Sequence, residues 1–252
     1  MSYLGSSRTS CQPNGAYPSS SRTGPGPLVV SGHLRTHLNF DPDAFVPVSL
    51  MVKLPTVLVI NPKVPASNLQ ELLAYARANP GKLTFGSPGT GSTPHLATEQ
   101  LMKAAGIRLV HVPYQGMAPA MNDLMGGHID MMIDLYGNVE GSIKEGKLRL
   151  LAVTTSARLP QEPAVPTISE VVPGFAHVEW FAMVAPPKTP DAIVAKLSAA
   201  IAEILALPDV TKRLADLAAV PVGGTPNAAA SFIKAENARW KQLIDTTGLK
   251  ID

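Results

Sequence analysis

Apolar positions in the middle of the chain recur in two alternating rhythms. Short β-branched or aromatic runs, Val57–Ile60, Leu83–Phe85, Leu109–Val112, Ile129–Ile133 and Leu148–Val153, read as strands. Between them lie stretches with helical spacing. Ser67 opens the first, with Gln70 as its capping-box partner and Leu69, Leu72, Leu73 and Ala76 on one face; Asn79-Pro80-Gly81 stops it. The second runs from His95 to Ala105 with Thr93 as N-cap and Pro94 at the first helical position. Leu96, Leu101 and Ala104 supply its buried face, and Gly106 ends it. Pro119–Met125, closed by Gly126-Gly127, and Val139–Lys144 are shorter helices. This alternation implies βαβ units and a mainly parallel sheet, whose ligands sit beyond the carboxyl ends of the strands. The loops Gly86–Pro94, Pro113–Met117 and Asp134–Asn138 all fall at that edge.

The rhythm changes after Pro173-Gly174. An extended run, His177–Ala185, carries Trp180 and Phe181. Thr189-Pro190 then caps a helix with Ile193, Leu197, Ile201 and Ile204 on one face. Asp209 opens another with Val210, Leu214 and Leu217, and Thr225-Pro226 a last one with Phe232, Trp240, Leu243 and Ile244. These stripes read as core, as do Trp180, Met131 and Met132, and the shift near residue 180 marks a second packing unit. Upstream, Leu28–Val30 is an isolated run of strand length. Residues 1–27 are rich in Ser, Gly, Pro and Arg and lack the apolar surface to offset their ordering entropy, so disorder is expected through Pro27.

Composition removes several classes of function. A chain of 252 residues can bury one large core or two modest ones. A net charge of +2, evenly spread, does not make a nucleic-acid surface. No apolar run approaches the ~18–20 residues of a membrane span, so direct membrane insertion is not expected either. Cys11 is the single cysteine, which rules out an internal disulfide and a multi-thiolate metal site. His33 and His37 have helical metal-pair spacing, but Leu34 stands where a zinc protease has glutamate, and the surroundings do not read as a stable helix. No metal and no cofactor is expected. No basic segment followed by an apolar core is visible, so no secretory leader is read and the chain as written would stay cytoplasmic.

The candidate chemistry lies in Gly86-Ser87-Pro88-Gly89-Thr90-Gly91-Ser92-Thr93-Pro94-His95. A strand that turns through small residues into a helix start aims free N–H groups and the positive helix end at one spot. The side chains there are short hydroxyls rather than cations, which suits a carboxylate held by neutral donors. A phosphate loop of the Walker type requires lysine where Ser92 stands, and a dinucleotide fingerprint requires a third glycine where Pro94 stands. His95 reads either as a ligand donor or as a neutral histidine bonded within the loop; the positive helix end disfavours an imidazolium. A Ser92–His95 hydrolase pair is the enzyme alternative, but no Gly-x-Ser-x-Gly elbow accompanies it. Tyr114 ends a strand, where its phenol either donates or packs. Asp134 ends another; near a carboxylate ligand it repels, unless it meets a hydroxyl, an amine or a bridging water.

In its ordered series of short stretches the chain resembles a known family. These are Phe45-Val46-Pro47-Val48-Ser49-Leu50, Val57-Leu58-Val59-Ile60-Asn61-Pro62, Phe85–Ser92 with His95-Leu96, Val110-His111-Val112-Pro113-Tyr114-Gln115-Gly116 and Gly126–Asp134. Leu151–Thr154, Val165-Pro166-Thr167 and Ala185–Pro190 complete the series. The family is that of the periplasmic receptors of tripartite tricarboxylate transporters, the Bug-type solute-binding proteins, and the resemblance runs from about residue 39 to the end. It implies an α/β, type II periplasmic-binding-protein-like fold, two lobes with mainly parallel sheets closing on a small carboxylate, and no enzymatic activity. Carried onto this chain, the ligand loop comprises Ser87, Gly89, Thr90, Gly91, Ser92 and Thr93, beside His95, with Tyr114, Gly116 and Asp134 lining the same cleft. The implied ligand is a small organic acid, a di- or tricarboxylate, an amino acid or an aromatic carboxylate. The implied partners are the permease subunits of the transporter, and the implied location is the periplasm.

The resemblance also divides the chain. Residues 1–27 match nothing in the family, 28–60 correspond to a remnant of lobe one and a hinge strand, and 61–180 to lobe two. Residues 181–252 correspond to the returning strand and the helices that pack on lobe one. Lobe one is therefore expected to be incomplete, and an inactive remnant of a receptor is the alternative reading. Magnitudes bear on that choice. A hydrogen bond to a charged group contributes ~1.5–3 kcal/mol and a helix N-terminus ~0.3–2, while a micromolar site needs ~8 kcal/mol. One loop with three or four such bonds comes close, and a second lobe supplies the remainder.

Overall fold

The structure, a computed structural model, describes residues 21–35 and 37–248. The first strand, β1 (Ser21–Thr23), lies where composition alone predicts disorder; pairing with a strand far along the chain supplies the backbone bonds its sequence does not advertise. A wide helical turn, Gly26–Val30, runs into α1 (Ser31–Leu34). Leu28, Val29 and Val30 are thus helical rather than a strand. All three are buried, against Trp180, Val184, Trp240 and Ile244, and a turn surrounded on every side buries three successive residues where a strand would alternate them. The chain then runs through β2 (Val46–Leu54), Pro55 and β3 (Thr56–Ile60).

Next come α2 (Leu69–Ala78), β4 (Thr84–Ser87), α3 (Thr93–Ala105), β5 (Val110–Pro113) and α4 (Met117–Gly126). They are followed by β6 (Met131–Leu135), α5 (Tyr136–Lys144) and β7 (Arg149–Val153). Helix starts differ by one to three residues from the sequence reading: α4 begins at Met117 rather than Pro119, and α5 at Tyr136 rather than Val139. Asn68, not Ser67, caps α2, its side chain accepting the Glu71 N–H at 2.9 Å. Ser92, not Thr93, caps α3, which places Pro94 second in the helix. The buried residue near the end of α3 is Ala105 rather than Ala104, and Gly106 closes the helix with φ 63°. After a long connection β8 (Glu179–Ala185) returns, followed by α6 (Asp191–Leu205), α7 (Pro208–Asp216), β9 (Val220–Gly223) and α8 (Pro226–Thr247).

Two sheets result, and they are mixed rather than mainly parallel. In the five-stranded sheet, ordered β5-β4-β6-β3-β7, β4 runs parallel to β5 and β6, while β3 is antiparallel to both β6 and β7. The reason is connectivity: β3 enters from the other sheet through Pro55, whereas the remaining strands are reached by returning helices. The four-stranded sheet, ordered β1-β8-β2-β9, is antiparallel throughout. Every residue of β3 is buried, with Leu58 and Ile60 facing the α2 and α3 side and Val57 and Val59 the α4 and α5 side. A strand covered on both faces reads as an unbroken apolar run.

The sheets are tied where β2 passes into β3 and where the chain returns before β8. The Thr154 N–H donates to Thr56 O at 3.0 Å, the two threonine hydroxyls lie 2.5 Å apart, and the His177 N–H donates to Thr154 O at 2.8 Å. Trp180 is fully buried there, and Met131 and Met132 are core. The stripes of α6 and α7 are not wholly core: Ile193 and Ile204 are each 51% exposed and Leu217 52%. Helical spacing reports an apolar face but not whether another element covers it.

Candidate ligand-binding site

Strands β4, β5 and β6 point their carboxyl ends at one edge, and α3, α4 and α5 start from that edge. Three positive helix ends are therefore gathered along a line of about three strands, each with first-turn N–H groups lacking an intrahelical acceptor. The glycine loop supplies the α3 corner. It winds around the Gly89 carbonyl, which accepts from Ser92 Oγ at 2.7 Å and from the Ser92 N–H at 3.2 Å, with Ser87 Oγ 3.0 Å away. Gly91 has φ 78°, a left-handed conformation that costs a side chain about 1 kcal/mol, so glycine there shapes the corner.

The loop divides by exposure. Thr90 is exposed and Gly89, Gly91 and Ser92 half-buried, whereas Ser87, Thr93 and His95 are buried behind them. His95 Nδ1 accepts the Gly91 N–H at 3.0 Å, so in the neutral ring the proton sits on Nε2, 3.5 Å from Glu99 Oε1. Its ring stacks on His111 with centroids 3.9 Å apart, and Phe85 stacks on His111 at 4.8 Å. Ser87 Oγ lies 2.7 Å from His111 Nε2. Burial, with the neighbouring His95, pushes His111 down to about 4. The Ser92 hydroxyl bonds to Gly89 O and the His95 ring nitrogens meet Gly91 and Glu99, an arrangement that engages neither as a nucleophile–base pair.

The ends of β5 and β6 adjoin this corner; β6 runs straight into α5, so the loop expected at Asp134–Asn138 is instead a strand end and a helix start. The Tyr114 N–H donates to Ser87 O at 2.9 Å, but its phenol donates to Asp123 Oδ2 at 2.7 Å, and burial with that bond pushes it up to about 12. Gly116, with φ 126°, caps α4. Asp134 is 3% exposed; Oδ1 accepts the Leu135 N–H at 2.7 Å and Asn138 Nδ2 at 3.0 Å, while Oδ2 is buried with no partner. Burial pushes this carboxyl up to about 6, against the pull of those two bonds. At the other end of the chain, α1 stops at Leu34, so His33 and His37 do not share a helix; His33 Nε2 instead lies 2.6 Å from Asn237 Oδ1. Among the described residues no cluster of three or more His, Cys, Asp or Glu side chains could hold a metal ion.

One residue at this corner has no counterpart in the sequence reading. Thr93 Oγ1 donates to Glu179 Oε2 at 2.8 Å, joining the first turn of α3 to the start of β8 across 86 residues. Burial pushes Glu179 up to about 7. His177, buried and held down to about 3 by desolvation, has Nε2 3.9 Å from the same oxygen. The available signal was an acidic residue inside an otherwise apolar extended run, directly before a tryptophan. On the β7 side a cleft of about 600 Å³ opens between residues 155–161 and 215–221, with Lys53, His177 and Arg239 in its walls.

Two α/β units joined by paired chain crossings, with helix N-termini along the edge that faces the joint, define a two-lobed solute-binding protein. Residues 18–249 match the model of the Tripartite tricarboxylate transporter family receptor, and the chain belongs to that family. The family is one of binding proteins, not enzymes. A curated relative, the UPF0065 protein in the tcbD-tcbE intergenic region of Pseudomonas sp. (strain P51), is 43% identical over 86% of this chain and 66% of its own length. The chain thus spans just under two thirds of that relative.

Among solved structures, R. palustris Rpa4515 with adipate is similar with a TM-score of 0.85 and 33% identity, over 91% of this chain and 77% of the other. The periplasmic binding protein BugD gives 0.84 and 31%, over 93% and 81%. MatC (Rpa3494) from Rhodopseudomonas palustris with bound malate gives 0.81 and 30%, over 91% and 81%. The family fold is therefore that of periplasmic binding proteins. No helix among the described residues is long and apolar enough to cross a membrane.

Proposed function

We propose that this protein captures a small organic dicarboxylate at the α3–α4–α5 edge and delivers it, outside the cytoplasmic membrane, to the permease subunits of a tripartite tricarboxylate-type transporter. The observation that carries this reading is the corner at Gly89–Thr93: an exposed Thr90 flanked by half-buried glycines and short hydroxyls at the positive end of a 13-residue helix, with no cation in the loop. Adipate and malate in the similar structures are both dicarboxylates. In this reading Thr90 meets the ligand through its backbone and hydroxyl groups, while Gly91 and Ser92, bonded to His95 and to Gly89 O, shape the corner around it. Ser87, Gly89, Thr93 and His95 hold the loop in shape, and Tyr114 and Gly116 form the adjoining wall. Asp134, with its unpartnered oxygen, meets a ligand hydroxyl or a bridging water rather than a carboxylate.

A thermal-shift series with adipate, malate, citrate, aspartate, glutamate and nicotinate tests the reading. At least one acid raises the melting temperature, and Ser92→Pro, which removes the N–H bonded to Gly89 O, abolishes the shift. A cooperatively unfolding protein that responds to none of these acids contradicts it. That outcome would favour the second reading, a folded chain that holds no ligand. The exposed apolar side chains of α6 to β9 are the observation in its favour, because they leave one lobe less well covered than the other.

A further inference from the structure

The carboxylate of Glu179 occupies the ground on which a ligand carboxylate has to act. It reaches from β8 to the first turn of α3, where Thr93 Oγ1 donates to Oε2 at 2.8 Å. That is the helix end whose positive charge serves the ligand loop, and one bonded carboxylate there already neutralises much of it. The side chain is only 16% exposed, so solvent screens its charge poorly. We propose that Glu179 sets the charge this corner accepts: with its proton on, it leaves the α3 N-terminus to a ligand carboxylate, and with its proton off, it fills that role itself and repels the ligand. This rests on the receptor reading above and adds to it a proton taken up on binding.

The surroundings of Glu179 support this assignment. On the chain just before it, His177 is neutral near physiological pH and offers no compensating cation. From α8, Glu236 raises and Arg239 lowers its proton affinity, but those two pair with each other, Arg239 Nε to Glu236 Oε1 at 2.9 Å. From α3 the bond is Thr93, from β2 the facing residue is the uncharged Leu54, and beside β1 Gly24 lies against Oε1. No cation is dedicated to Glu179, so desolvation dominates and the group is held up to about 7. Its proton is therefore exchanged within the physiological range.

If only the protonated form accepts the ligand, apparent affinity follows the protonated fraction and falls roughly tenfold between pH 6 and pH 8. Isothermal titration of the full chain with malate, at pH 6, 7 and 8 and in two buffers of different ionisation enthalpy, reads both that slope and the proton uptake. Glu179→Gln is expected to bind with the same affinity at all three pH values and to take up no proton. Thr93→Val removes a bond that favours the ionised carboxylate, so its affinity-against-pH curve moves to higher pH. Circular dichroism checks both variants, and the Thr93→Val midpoint decides the matter where Glu179→Gln does not fold. Malate binding whose pH slope is flat in the wild type, or unchanged in the variants, overturns the proposal alone. Where malate does not bind, the titration uses whichever of the six acids raises the melting temperature; absence of binding by all six at every pH, in a folded protein, overturns the receptor reading and this proposal with it.

Discussion

The two sheets use similar apolar residues but are covered to very different extents. In the five-stranded sheet Val57 to Ile60, Phe85 and Met131 to Ile133 are fully buried between helices on both faces. Around the four-stranded sheet, Val220 and Val222 of β9 remain 57% and 43% exposed, and Ile193, Ile204, Leu207 and Leu217 are about half-exposed beside it. Of seven large apolar side chains exposed among the described residues, six belong to this α6-to-β9 region. The lobe that carries the glycine loop is thus complete in its own packing. The other lobe rests on a smaller core around Trp180 and Trp240. The glycine loop is seated on the well-covered sheet and is tied to the other one through Thr93 and Glu179 and through Leu96, which packs with Trp180.

Mutations should respect this division. The largest effect is expected for Leu58→Ala, which removes a fully buried side chain between Ile133 and Ala152 and should cost ~2–5 kcal/mol in urea unfolding. A loss below about 1 kcal/mol would show that the five-stranded sheet is not the rigid member of the pair.

A smaller effect, dependent on pH, is expected at Asp134. Its folded carboxyl titrates near 6 instead of the ordinary 3.8, so the stability it contributes is fully present below about 4 and is lost as the pH rises through about 6. The shift corresponds to roughly 3 kcal/mol at most. The stability of the wild type minus that of Asp134→Asn, measured by urea at pH 4, 5, 6 and 7, should fall across that window by up to this amount. A constant difference would mean that folding leaves the proton affinity of Asp134 unchanged. His111 and His177 act in the opposite sense: held neutral at about 4 and about 3, they withdraw stability as the pH falls below about 6.5 in both proteins, so they cancel in the difference.

The smallest effect is expected for Ile204→Ser on the open region, within about 0.5 kcal/mol in either direction and with improved solubility. A loss of 2 kcal/mol or more would mean that this face is covered in solution, and the contrast between the lobes would then disappear.

Much of the loop-bearing lobe was legible in the sequence because its punctuation is local. Glycines and prolines mark Gly86–Pro94, Gly106 and Gly126-Gly127, and β3 reads as an unbroken apolar run because both its faces are buried. Strand direction was not legible: periodicity is the same for a parallel and an antiparallel neighbour, and the reversal of β3 comes from its entry through Pro55. The exposure of Ile193 and Ile204 was hidden for a related reason, since an amphipathic pattern does not name its cover. At the candidate site, the loop residues were visible as a motif. Their internal bonding, with His95 held to Gly91 and Ser87 beside His111, depends on side-chain geometry that spacing does not encode. The Thr93–Glu179 contact joins α3 to β8 across 86 residues, and an acidic residue in an apolar run does not name so distant a partner.

The proposed seat of the small carboxylate is the corner at residues 89–95. Hydrogen–deuterium exchange of the full chain with and without saturating malate tests it most directly, read peptide by peptide. Slowed exchange is expected at the amides of residues 90–93 and 95 and in the segments around Tyr114 and Asp134, with residues 193–217 unchanged. Binding of malate with the 89–95 amides exchanging at their free rate would contradict it.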